Sequence, residues 1–175
     1  MEWTPQAAAA LARYACPDCR GTGLVPSDGA FALCRCVCRA VFRACYRRFL
    51  NCGKKDPSLR RVTFDRLLRA VDRTVSWARR NEDYRADFHA CGVRALPRHL
   101  YQIFSFYHLH GGTMELVRRR LGLGEAHAWR HVEQIEIAVG REIAHLEPYS
   151  LFPPSGYMIP SGRSVRVEEN LPLAG

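Results

Sequence analysis

Five of the eight cysteines lie between positions 16 and 38, as Cys16-x-x-Cys19 and, beyond a loop, Cys34-x-Cys36-x-Cys38. Two short cysteine pairs on either side of a loop can converge on one point and offer four thiolates, the donor set of a structural tetrahedral zinc. Cys16, Cys19, Cys34 and Cys36 are the expected ligands, with Cys38 as the alternate to Cys36. Gly21 and Gly23 follow the first pair closely. A chain that turns tightly round a metal needs positive φ and room for amides to face the sulfurs. The expected cofactor is therefore one Zn2+ per chain, acting in folding because so short a segment has little core of its own.

Other uses of the thiols fit less well. Disulfides belong to oxidising compartments. The start of the chain, MEWTPQAAAALARYA, carries an acidic residue where a secretion signal would carry lysine or arginine. A cytoplasmic location is expected on that ground. Thr4 and Pro5 instead read as the N-cap and first position of a short helix. Thiol redox chemistry is the third alternative: a redox Cys-x-x-Cys opens a helix after a strand, whereas glycines follow this one at once. No His-Glu-x-x-His run is present to build a catalytic zinc site, so an enzyme is not expected. Cys45, Cys52 and Cys91 read as small buried hydrophobes, and His89, His99, His108, His110 and His145 as local polar groups.

The chain of 175 residues carries a net charge of +9, a field that concentrates polyanions. A membrane is not the expected partner, because no run approaches the ~20 apolar residues of a spanning helix. Periodicity predicts helices over most of the chain. In RAVFRACYRRF, Val41, Phe42, Cys45, Tyr46 and Phe49 recur at helical spacing. Arg39, Arg43 and Arg47, with Arg48, form a basic stripe suited to phosphates. A second arginine-rich helix is expected over 58–80, followed by an acidic connector and three helical pieces divided by glycines.

The segment Thr113 to Gly140 resembles a helix-turn-helix, in particular the fourth conserved region of bacterial sigma factors, with Leu121-Gly122-Leu123 at the turn. The resemblance covers roughly residues 96–146. It implies that Leu116, Val117 and Leu121 pack the first helix and Ala128, Val132 and Ile135 the second. His127, Trp129, Arg130, His131 and Gln134 would then lie on or beside the outer face, where base edges are read, with Arg118, Arg119 and Arg120 placed for the backbone. Glu125, Glu133 and Glu136 depart from the usual basic character of such a helix, and on an open face they would suit docking on a protein.

The Tyr84-x-Ala86-Asp87-Phe88 string, the helix bearing Ile135, Gly140 and Arg141, and EPYSLFP at 147–153 resemble a family of uncharacterised bacterial and prophage proteins. In that likeness Tyr149, Leu151 and Phe152 would clasp the helical core. The zinc knuckle ahead of a basic helix is similar in general plan to late-gene antitermination proteins of lambda-like phages. Cys16 to Gly23 is similar to one knuckle of the J-domain co-chaperones, which use four, so chaperone activity does not carry over.

The expectation is a mainly α protein: a small N-terminal zinc knuckle, then a helical body with a C-terminal helix-turn-helix. Its parts are a zinc module with basic helix (1–52), an arginine-rich helix and connector (53–92), the helix-turn-helix (93–150) and a Pro/Gly-rich tail (151–175). The expected function is a nucleic-acid-binding transcription regulator, with DNA as the expected partner. The alternative is a protein that docks on RNA polymerase or a transcription factor. Oligomeric state does not follow from these features.

Overall fold

The computed structural model describes residues 3–27, 29–53, 81–146 and 150–154. The expected helix over 58–80, Tyr149 and the tail from 155 lie outside the described residues. What is described is mainly helical. α1 (Pro5–Leu11) is capped by Thr4, whose hydroxyl accepts from the Ala7 amide at 3.2 Å, with proline in the first turn. This is the start that the sequence predicts. β1 (Leu24–Ser27) and β2 (Ala30–Leu33) form an antiparallel hairpin in register Leu24↔Leu33 to Ser27↔Ala30. Gly29, at φ 81°, occupies the left-handed region in its turn.

α2 (Arg35–Cys52) follows directly and buries Val37, Cys38, Val41, Phe42, Cys45 and Phe49 along one stripe. The segment 81–92, expected as a connector, is helical from 81 to 95; we label it α3. Its acidic residues obscure a buried stripe of Tyr84, Phe88 and Cys91 at helical spacing. Gly92 does not end this helix: a Cβ there would lie 2.2 Å from the Phe104 ring, so the glycine permits close packing. α4 (Arg98–Phe104) runs into a π-helical turn at Ser105–Leu109, and α5 (Met114–Leu121) and α6 (Glu125–His145) complete the body.

α2 and α6 form the central pair, packing Val37, Val41 and Phe42 against Ile135, Val139 and Ile143. They approach so closely at Gly140 that a Cβ would sit 2.0 Å from the Cys38 carbonyl oxygen. Aromatic rings fill the space towards α3 and α4. Phe88 lies 5.0 Å from Phe49 and 5.9 Å from Phe104, while His108 meets Phe42 edge-on at 5.1 Å and Tyr46 at 5.2 Å. That enclosure lowers the His108 pKa to about 4, because burial penalises the charged ring. The described tail docks on this body. Leu151 is buried with its carbonyl accepting the Cys45 thiol at 3.4 Å, and Phe152 stacks on Trp3 at 5.9 Å.

Candidate metal centre and helix-turn-helix surface

The turn carrying Cys16 and Cys19 is built from backbone bonds. The Arg20 amide donates to the Cys16 carbonyl at 2.9 Å, and the Thr22 amide and hydroxyl donate to that of Cys19 at 3.0 and 2.8 Å. Arg20, Gly21 and Gly23 all have positive φ. At Gly23 the chain presses on α1, where a Cβ would fall 2.3 Å from the Ala8 carbonyl oxygen. The Gly23 carbonyl in turn accepts the Cys34 amide at 2.9 Å, which anchors the second pair against the first. Cys34 is the N-cap of α2 and Cys36 lies in its first turn. The positive end of the helix dipole thus faces the thiols.

The ligand atoms of Cys16, Cys19, Cys34 and Cys36 all lie within 4.8 Å of one another. Cys16 and Cys34 sulfurs are 3.7 Å apart and those of Cys19 and Cys36 3.6 Å. A tetrahedron with metal–sulfur bonds of ~2.3 Å has edges of ~3.8 Å. The spacing fits a tetrathiolate and is far longer than a disulfide. Four thiols so placed can hold one metal ion. Cys16 is lowered to about 7, because the Cys19 and Asp18 amides donate to its sulfur, whereas burial raises Cys34 and Cys36. Asp18 lies beside Cys16 and is paired with Arg35, which offsets its charge next to a thiolate.

The choice left open between Cys36 and Cys38 falls to Cys36. The Cys38 thiol is buried and points towards the Leu33 carbonyl at 3.9 Å, away from the cluster. On a helix, residues two apart point to different sides. Burial likewise pushes Cys45 and Cys91 up to about 12, so they sit in the core as neutral thiols.

In the C-terminal half, Thr113 caps α5 by accepting from the Leu116 amide at 3.3 Å. Gly122 ends it at φ 63°, and α6 begins two residues later with Gly124 as N-cap. Ala128, Val132 and Ile135 are buried as expected. The first helix differs: of its residues only Val117 is buried, while Leu116 and Leu121 are exposed.

His127, Arg130 and Gln134 are exposed and share one face of α6, with His131 half-buried beside them and bonded to Gln134 at 3.2 Å. Trp129 points elsewhere, towards the side that bears Glu133, with its ring edge-on to Tyr107 at 6.4 Å. Of the basic residues of α5, Arg118 pairs with Glu125 at 3.5 Å, Arg119 with Glu115 at 3.1 Å, and Arg120 lies over the Phe106 ring at 5.5 Å.

Glu133 and Glu136 of α6 turn towards α2, whereas Glu125 is exposed. Arg39 reaches Glu133 at 2.7 Å and Glu136 at 2.8 Å, with Arg43 adding a 3.5 Å contact to Glu136, whose side chain is only 13% exposed. The α2 arginines expected as one phosphate-binding stripe are therefore divided. Arg39 and Arg43 join α2 to α6, Arg48 donates to Asn81 at 2.7 Å and lies over Tyr84, and Arg47 is exposed. Sequence reading missed this link, for which the spacing of Arg39 with Arg43 and of Glu133 with Glu136 was the available sign.

No family model, no curated protein and no solved structure matches the chain. Among the described residues no helix is long and apolar enough to cross a membrane.

Proposed function

We propose that the protein is a nucleic-acid-binding transcription regulator in which one structural zinc, held by Cys16, Cys19, Cys34 and Cys36, sets the start of α2 and so seats α6 for duplex DNA. Thiolates suit zinc, and the site has four donors and no open position for chemistry. The observation that carries the reading is the placement of charge on α6. Glu133 and Glu136 pair with Arg39 and Arg43 on the side towards α2, and the exposed Glu125 meets Arg118 at 3.5 Å. The outer face keeps His127, Arg130 and Gln134, side chains able to address base edges and phosphates.

Titration of mixed-sequence duplexes by fluorescence anisotropy at two salt concentrations tests this. Binding is expected to weaken as salt rises, with a log–log slope of about −0.9 per phosphate neutralised. Arg130→Ala is expected to weaken it and flatten the slope by about one if Arg130 meets a phosphate. Absent or salt-indifferent binding by the zinc-loaded chain would sink the reading.

A second reading is docking on RNA polymerase or another protein. It is favoured by Leu116, Leu121 and the 49%-exposed Trp129, which leave apolar surface around the same helices. In that case duplex binding would be weak and unsaturable, and Trp129→Ala would impair only a protein complex.

A further inference from the structure

Phe31 stands apart among the described phenylalanines. Phe42, Phe49, Phe88 and Phe104 are buried, yet Phe31, on β2 opposite Pro26, is 75% exposed. Beside it opens a cleft of about 390 Å³ between the hairpin and the C-terminal end of α6, walled by Trp3, Pro5, Leu24, Phe31, Arg141 and His145. Its aromatic wall is held in place: Trp3 donates from Nε1 to the Ala144 carbonyl at 2.9 Å and stacks on Phe152.

The polar wall is equally defined. His145 donates from Nδ1 to the Arg141 carbonyl at 2.8 Å, which leaves Nε2 for another partner. Arg141 is exposed and pairs with no described carboxylate, unlike Arg39, Arg43 and Arg94; its one described side-chain partner is the Cys38 thiol, which leaves further guanidinium N–H groups for a phosphate. At about 100° per residue, His127, Arg130, Gln134, Arg141 and His145 fall on one face of α6. Arg130 and Arg141 are ~16 Å apart along that face. A polyanion lying on the outer face at Arg130 would pass Gln134 and reach Arg141, which lines the same cleft as Phe31.

We infer that this cleft receives an unpaired nucleobase from a single-stranded stretch adjoining the duplex, stacked against Phe31 with its phosphate on Arg141. The inference rests on the nucleic-acid reading of α6 given above. An exposed aromatic face beside an exposed arginine with no described carboxylate partner and a hydrogen-bonding imidazole is the combination that holds unpaired bases without strict sequence preference. The net charge of +9 makes a polyanion the complementary occupant.

The test uses the zinc-loaded full chain and one duplex in two forms, blunt and with a short single-stranded overhang carrying 2-aminopurine. The overhang is expected to tighten binding about tenfold and to quench the probe as its base stacks. Phe31→Leu should abolish the gain and the quenching while leaving blunt-duplex affinity unchanged, and Arg141→Gln should reduce the gain. Equal binding of the two forms, or a gain that survives Phe31→Leu, overturns the inference and leaves the duplex reading standing. Failure of the folded, metal-loaded chain to bind either form overturns both. Saturable binding of an acidic aromatic peptide, lost in Phe31→Leu and without overhang preference, would give the cleft to a protein partner instead.

Discussion

Gly140→Ala should be costly although it places a better helix former in the middle of α6. Alanine favours a helix over glycine by about 1 kcal/mol. Here, however, the new Cβ would lie 2.0 Å from the Cys38 carbonyl oxygen, 2.7 Å from the carbonyl carbon and 3.2 Å from the Phe42 Cβ. The first two are backbone atoms and cannot rotate aside, so α2 and α6 must part by roughly 1 Å to reach ordinary contact. That opens the central packing and stretches the Arg39 pairs to Glu133 and Glu136. Overpacking of this kind costs about 1–3 kcal/mol, and the rigid backbone puts it near the upper end. The net expectation is a loss of about 2 kcal/mol. In urea unfolding of the zinc-loaded chain this is a midpoint lower by about 1 M at a slope of ~2 kcal/mol/M. Gly53→Ala is the control, since its Cβ would come no nearer than 3.7 Å, to the Leu50 carbonyl oxygen, and its φ is negative. A Gly140→Ala chain as stable as the parent would refute the close α2–α6 contact.

Further expectations concern the metal, the buried histidine and the α2–α6 link. Cys36→Ser should abolish stoichiometric metal while Cys38→Ala retains it, read by elemental analysis after dialysis; equal retention would contradict the ligand assignment. His108 has a folded pKa of about 4 against an ordinary value of 6.5. The unfolded chain therefore binds the proton first, and stability is full above pH 6.5 and falls as pH drops from 6.5 through 4. The ~2.5-unit gap amounts to roughly 3 kcal/mol by pH 4. His108→Phe should flatten that part of the pH profile of urea unfolding, and an unchanged profile would show that the ring is not desolvated as described. Arg39→Met should cost about 1–2 kcal/mol, because it leaves Glu136 mostly enclosed with only the longer Arg43 contact. Glu136→Gln should suppress part of that loss in a double-mutant cycle.

What could be read from the sequence was local. Thr4 and Pro5 announce α1, Gly122 the end of α5, and Ala128, Val132 and Ile135 the inner stripe of α6, because each depends on a few neighbouring residues. Two cysteine pairs imply a shared metal for the same reason, but three candidates in the second pair differ only in direction on a helix, which the start of α2 decides. The function of the charges was not legible. Arg39 and its partners Glu133 and Glu136 stand 94 and 97 residues apart, and each considered alone looks like an exposed charge. The same holds for α3, whose acidic residues suggest a connector until Tyr84, Phe88 and Cys91 are seen against Phe42 and Phe49.

In the proposed reading a metal on the four cysteines orders the start of α2, and through Cys38 and Arg39 the seating of α6, so its composition is the point to test first. X-ray absorption at the zinc edge on the purified full chain reads it directly. One zinc per chain surrounded by four sulfurs at ~2.3 Å is the expected result. A substoichiometric metal content, or a first shell containing nitrogen or oxygen, would contradict the tetrathiolate and with it the metal-set placement of the two helices.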